Sequence, residues 1–250
     1  MDRRQRSLTI AFQTKVQTLM RAADQLREIE LTADYLPANP TSLLYRCGGT
    51  IVLCTASIEH SVPPWKIGSG TGWVTAEYNM LPGSTSPRKK RDRGKIDGRT
   101  TEIQRLIGRS LRSVVDMSAL GEVTITVDCD VLQADGGTRT ASITGGFISL
   151  AKAIQSLHPS SRIGDGPLRD SVAAISAGVV DGQIHLDLDY KLDSAADVDM
   201  NVVMTGRGRF VELQGTGEEA TFDDDQLAGL IAVAKSGIAA LTDLQMQTLS

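Results

Sequence analysis

Alternation and helical striping of apolar positions divide this chain into a short series of elements. The run Val123 to Leu132 places Val123, Ile125, Val127, Cys129 and Val131 at every second position and predicts a half-buried strand. After a glycine-rich turn the spacing changes, and a helix is predicted from near Thr140 through Phe147, Ile148, Leu150 and Ile154. Upstream, Ile103, Leu106, Ile107, Leu111, Val114 and Val115 form one apolar stripe, with Thr100 or Thr101 placed to cap it. β-Branched runs predict strands at 43–46 and 50–58, and a long irregular stretch follows from Pro63 to Gly98. Leu8, Phe12, Val16, Leu19, Ala23 and Leu26 predict an amphipathic helix or arm over 7–27 that serves packing or assembly. In the second half, strands are predicted at 171–180 and 183–190 and as a pair around the Gly206-Arg207-Gly208 turn, ahead of a helix over 224–244 capped by Asp223. This order predicts an α+β (mixed α/β) architecture of two packed halves.

Composition narrows the setting. The chain has 250 residues, 41% of them hydrophobic and 22% charged, which is enough for a sizeable core. A net charge of −4 excludes indiscriminate polyanion binding by the whole surface, so any such site must be a local basic patch. Cys47, Cys54 and Cys129 are odd in number and lack Cys-x-x-Cys spacing, which predicts a reducing, cytoplasmic setting. The apolar run Leu8 to Phe12 is too short for a secretory signal, and no segment reaches membrane-spanning length, so no membrane partner is expected.

The turn between strand and helix, Ala134-Asp135-Gly136-Gly137-Thr138-Arg139, is the most informative chemistry. Gly136 and Gly137 would let a ligand approach the backbone, and the helix start offers N–H groups and the positive end of its dipole. Thr138 and Arg139 add a hydroxyl and a planar cationic fork, a set suited to phosphate. The same turn is also compatible with an ordinary capped connection, and it has neither P-loop nor Rossmann spacing. A basic run, with Arg88, Lys89, Lys90, Arg91, Arg93, Lys95 and Arg99 against Asp92 and Asp97, ends at the start of the Ile103 helix and places Arg99 at its N-terminus. Between Gln183 and Asp193, His185, Asp187, Asp189, Lys191 and Asp193 alternate with apolar residues, as on the solvent face of a sheet or in a divalent metal site. On a straight strand Asp187 and Asp193 would stand about 20 Å apart, so a shared site requires a bend near Tyr190 to Leu192.

Four stretches resemble the ribonuclease PH family: Gly72-Trp73-Val74-Thr75-Ala76-Glu77-Tyr78, Gly98-Arg99-Thr100-Thr101-Glu102-Ile103-Gln104-Arg105-Leu106-Ile107-Gly108-Arg109, Asp128 through Gly146, and Asp199-Met200-Asn201-Val202-Val203-Met204-Thr205. The resemblance spans about Arg21 to Gln245 and marks 1–20 as an extension to a catalytic domain of 21–250. It implies a phosphorolytic 3′-to-5′ exoribonuclease in which inorganic phosphate attacks the last phosphodiester of an RNA and a nucleoside diphosphate leaves, typically while precursor tRNA, or ribosomal RNA, is trimmed. It further implies phosphate binding by Arg99, Gly137, Thr138 and Arg139, catalysis and Mg²⁺ (or Mn²⁺) binding by Asp187 and Asp193, and RNA binding by Arg88 and Arg91. Two βαβ-type halves and a homohexamer built as a trimer of dimers are part of the same expectation. The alternative is a non-catalytic RNA-binding ring subunit of an exosome-like assembly. The chain departs from the family at Leu192, where a glutamate is usual, at Gly217, where alanine is, and at Gly83, where an arginine is.

Overall fold

The computed structural model describes residues 21–91, 94, 96–217 and 220–250. The proposed extension 1–20 and most of the predicted 7–27 helix lie outside the described residues, as do Arg93 and Lys95 of the basic run.

Two sheets enclose one helix. In the first sheet β1 (Ile29–Ala33), β2 (Leu43–Cys47), β3 (Thr50–Glu59), β4 (Trp73–Met80) and β5 (Thr124–Gln133) stand in the order β1-β2-β3-β5-β4. All neighbours are antiparallel except β4 and β5, which run parallel and are joined by a crossover through α1 (Gly98–Arg112) and the short α2 (Met117–Leu120). In the second sheet β6 (Val172–Val180), β7 (Gln183–Leu186), β8 (Val198–Thr205) and β9 (Phe210–Gly217) stand in the antiparallel order β7-β6-β8-β9. Helix α4 (Tyr190–Ala195) links β7 to β8, and α5 (Asp224–Leu249) closes the outer face of this sheet through Leu230, Ala234, Ile238 and Leu241. Helix α3 (Thr138–Leu157) touches both sheets and both long helices. It is apolar nearly all round, with Ile143, Phe147, Ile148, Leu150 and Ile154 buried, as a helix enclosed on every side must be.

The mixed α/β architecture of two packed halves is the one the pattern predicts. Four local expectations change. Strand β4 lies inside the stretch read as irregular, with Val74, Ala76 and Tyr78 turned inward. β7 ends at Leu186 rather than 190, because the chain bends at Asp187, whose φ is +57°, and Asp189 caps α4 through the N–H groups of Lys191 and Leu192. Helix α1 is capped by Asp97, which accepts from the Thr100 N–H at 2.6 Å, not by a threonine. Residues 21–27 form a turn rather than the end of a helix, since Arg21 and Arg27 are held by Asp187 on the opposite half.

At the start of α5, Asp223 accepts from the Gln226 N–H at 2.8 Å while the Gln226 side chain accepts from the Asp223 N–H at 3.1 Å. Asp223→Ala removes one half of this box and should lower unfolding free energy by about 1 kcal/mol. A urea unfolding curve measures the change, and an unaltered midpoint would show that the second sheet does not depend on the cap.

Candidate active site

The turn after β5 owes its shape to two consecutive left-handed residues, Gly136 at φ +74° and Gly137 at φ +65°. Gly137 precedes the first helical residue of α3, and the first bond of that helix runs from the Ala141 N–H to the Gly137 carbonyl, 3.0 Å. The N–H groups ahead of it are those a helix leaves for an external acceptor. The Thr138 hydroxyl is 2.9 Å from the phenol of Tyr78 on β4. Burial pushes that phenol's pKa up, while its bond to Thr138 and the nearby charges of Arg99 and Arg139 pull the other way. Arg99 and Arg139 thus bring cationic charge to the space in front of this helix terminus.

The turn opens into a cleft of about 580 Å³ between the halves. One wall carries Arg99, the second residue of α1, together with Gly136, Gly137, Thr138 and Arg139. The other carries Asp193 of α4, Ser176 of β6, and Asp199 and Asn201 of β8. Arg139 is oriented across the gap by Glu102 of α1 at 3.4 Å and by Gln214 of β9 at 3.2 Å. Gln214 in turn donates to Glu102 and to Glu212, so this arginine is held by both halves at once. Gly136 has a role that phosphate chemistry alone did not predict. A Cβ there would sit 2.5 Å from the Leu188 carbonyl oxygen, so the glycine admits the β7–α4 loop as well as any ligand.

The two aspartates expected to act together have different surroundings. Asp193 lines the cleft, whereas Asp187 is only 2% exposed and turns inward. Arg27 donates to it from its backbone N–H at 2.8 Å, from Nε at 3.0 Å and from Nη2 at 2.7 Å. Arg21 adds a contact at 3.3 Å, and the Cys47 thiol lies 3.5 Å away. Burial alone would raise the Asp187 pKa, but these hydrogen bonds and the Arg27 charge hold it below the ordinary range. Burial and the Asp187 charge push the Cys47 thiol up to about 12. The bend falls at 187–189, earlier than the expected 190–192.

The carboxylate that shares the cleft with Asp193 is Asp199, to which the sequence reading assigned no role. Its signal was present: Val198, Met200 and Val202 are buried while Asp199 and Asn201 take the alternate, half-buried positions of β8. Among the described residues no group of three His, Cys, Asp or Glu side chains is arranged to hold a metal. Two carboxylates beside an amide suit an ion such as Mg²⁺, which takes one or two protein carboxylates and completes its shell with water and substrate phosphate. Arg88 and Arg91 are exposed and do not line the cleft, although Thr85, Ser86 and Pro87 just before them do.

A two-sheet fold whose halves meet at a helix N-terminus, with arginines on one wall and carboxylates on the other, suits an enzyme of phosphoryl chemistry. The chain belongs to the 3′ exoribonuclease family: domain 1 of that family matches residues 25–154 and domain 2 matches residues 170–237. It is 68% identical over 232 residues to Ribonuclease PH of Rhodopirellula baltica, covering 90% of this chain and 94% of that one. To Ribonuclease PH of Neisseria meningitidis it is 54% identical over 234 residues, covering 93% and 97%. Among solved structures, rice Rrp46 superposes with a TM-score of 0.74 at 18% identity, covering 92% of this chain and 99% of that one. The Archaeoglobus fulgidus exosome with RNA bound to the active site gives 0.73 at 19% identity, covering 89% and 90%. These two share the fold.

Gly136→Ala tests the closeness of the turn to the β7–α4 loop, since the new methyl group must displace Leu188 or strain a positive φ. A loss of about 1–3 kcal/mol in unfolding free energy is expected. Stability equal to the parent would show that the loop yields freely and does not set the cleft.

Proposed function

We propose that this protein is a phosphorolytic 3′-to-5′ exoribonuclease that trims precursor tRNA, with inorganic phosphate as co-substrate and nucleoside diphosphates as products. The observation that carries the reading is the convergence of Arg99, Arg139, Thr138 and the α3 N-terminus on one wall of the cleft, opposite Asp193 and Asp199.

Phosphate must approach a phosphodiester that is itself an anion, and mutual repulsion is the first obstacle. The α3 N–H groups, the Thr138 hydroxyl and the two guanidinium groups offset it and hold the attacking oxygen in line with the bond to be broken. Arg139 suits this task because Glu102 and Gln214 fix its plane before substrate arrives. The bond that forms joins an oxygen of hydrogen phosphate to the terminal phosphorus, and the bond that breaks frees the 3′-oxygen of the preceding nucleotide, which takes up the proton that the attacking hydrogen phosphate gives up. Asp193 and Asp199 would hold Mg²⁺, or Mn²⁺, whose charge would neutralise oxygens of the reacting phosphates. No covalent intermediate with the protein is required.

The exposed arginines Arg88 and Arg91 would grip the RNA backbone outside the cleft. A homohexamer, arranged as a trimer of dimers, would cover apolar side chains that one chain leaves in water: Trp65 is 66% exposed and Ile67 72%. The three free, buried cysteines suit a reducing cytoplasm.

Arg99→Ala and Arg139→Ala should each remove about 1.5–3 kcal/mol of stabilisation of the attacking anion, which is roughly a 10- to 150-fold loss in kcat/KM for phosphate. Initial rates of the variants and the parent over a range of phosphate concentrations measure this, and nucleoside monophosphates formed by the parent without phosphate would overturn the proposal. The double change Arg88→Ala with Arg91→Ala should weaken tRNA binding and flatten the plot of log affinity against log salt by about two units at most, while sparing turnover of short oligonucleotides. A double variant that binds tRNA as tightly as the parent, at both low and high salt, would show that these arginines are only a solvated surface.

A further inference from the structure

We propose that Arg27 and Asp187 are positioning residues: together they form an interior strut that sets the carboxylate wall of the cleft against its phosphate-binding wall. The proposal rests on the phosphorolytic reading of the cleft and adds two residues that lie behind it.

The geometry is that of a three-way tie. Arg27 sits ahead of β1 and reaches two different turns with one guanidinium. Its Nη1 donates to the carbonyl of Asp135 at 2.6 Å, on the turn that carries Gly136 to Arg139. Its Nη2 and Nε hold the Asp187 carboxylate at 2.7 and 3.0 Å, on the bend that leads into α4 and Asp193. Backbone bonds extend the tie into the second sheet, because the Asp187 N–H donates to the Ser176 carbonyl at 2.7 Å and the Leu188 N–H to the Ser176 hydroxyl at 3.0 Å. Ser176 itself lines the cleft.

Three features exceed what simple packing needs. Asp187 holds a positive φ without being glycine, a conformation of modest cost that persists only where surrounding bonds dictate it. Its carboxylate is buried and saturated by donors, so it has no open face toward the cleft. The planar fork of Arg27 spans two acceptors at fixed angle, which a lysine ammonium cannot do. Through this fork the distance between the two walls is determined from inside the protein, and a misplacement on the order of 1 Å between reacting groups is enough to cost about 100-fold in rate.

The test is a double-mutant cycle on the full chain with Arg27→Ala, Asp187→Asn and the pair, measuring kcat and KM for phosphate on a short oligonucleotide. Each single change should lower kcat by about tenfold or more with KM for phosphate within about threefold, since Arg99, Thr138 and Arg139 remain. The double variant should be no slower than the slower single, because a tie cut at either end is already cut. Multiplying losses, or an Asp187→Asn defect with Arg27→Ala unchanged, would overturn the proposal and return Asp187 to direct work on the substrate. Should these variants fail to fold, Arg27→Lys, which keeps the charge and loses the fork, is read instead: a lowered kcat at unchanged KM supports the strut, and parental kcat overturns it. The parent protein assayed with and without phosphate separates the two ideas, since turnover without phosphate would fail the phosphorolytic reading while the cycle still decides the strut.

Discussion

A carboxylate taken out of water must be neutralised on the spot, and at Asp187 this requirement organises much of the chain. Its two arginine partners come from a segment more than a hundred and fifty residues earlier, so the N-terminal turn is bound to the bend between β7 and α4. The same Arg27 holds the carbonyl of Asp135, which ties the β5–α3 turn to both. A buried ion pair of this kind contributes little net stability once desolvation is counted, but breaking one side leaves an uncompensated charge. Its effect is therefore on geometry: three turns that belong to different elements have one permitted arrangement.

The cleft benefits from that arrangement because neither half contains it. The first half supplies a helix N-terminus and arginines, and the second supplies Asp193 and Asp199. Glu102 and Gln214 repeat the logic at the other side of the cleft, where a residue of each half fixes Arg139. Cationic charge is thus concentrated locally in a chain whose net charge is −4. That distribution suits an enzyme that must attract phosphate and RNA at one place without binding polyanions everywhere.

Glycine serves the cleft in a way that joins backbone conformation to packing. At Gly136 a left-handed φ makes the turn, and the missing Cβ makes room for the Leu188 carbonyl. The turn is consequently shaped by the neighbouring half as much as by any ligand. A turn built this way is organised before any ligand arrives, which lowers the reorganisation left for a reaction in the cleft.

Elements with strong periodicity, and chemistry confined to one short segment, could be read from the amino-acid order. The strand, turn and helix from Thr124 to Leu157 were legible because alternation, two glycines and an apolar helix follow one another without interruption, and Thr138, Arg139 and Arg99 could be placed at helix starts for the same reason. The acidic residues were not legible in this way. Asp187, Asp189 and Asp193 alternate as if on one strand, and nothing local distinguishes a carboxylate that meets Arg27 from one that meets the cleft. Folding in three dimensions buries Asp187, leaves Asp193 of α4 on the cleft, and brings Asp199 of β8 to the same cleft. Periodicity reports which face of an element a residue occupies. What stands opposite that face is set by long-range pairing, and here the partners of Asp187 come from the far end of the chain.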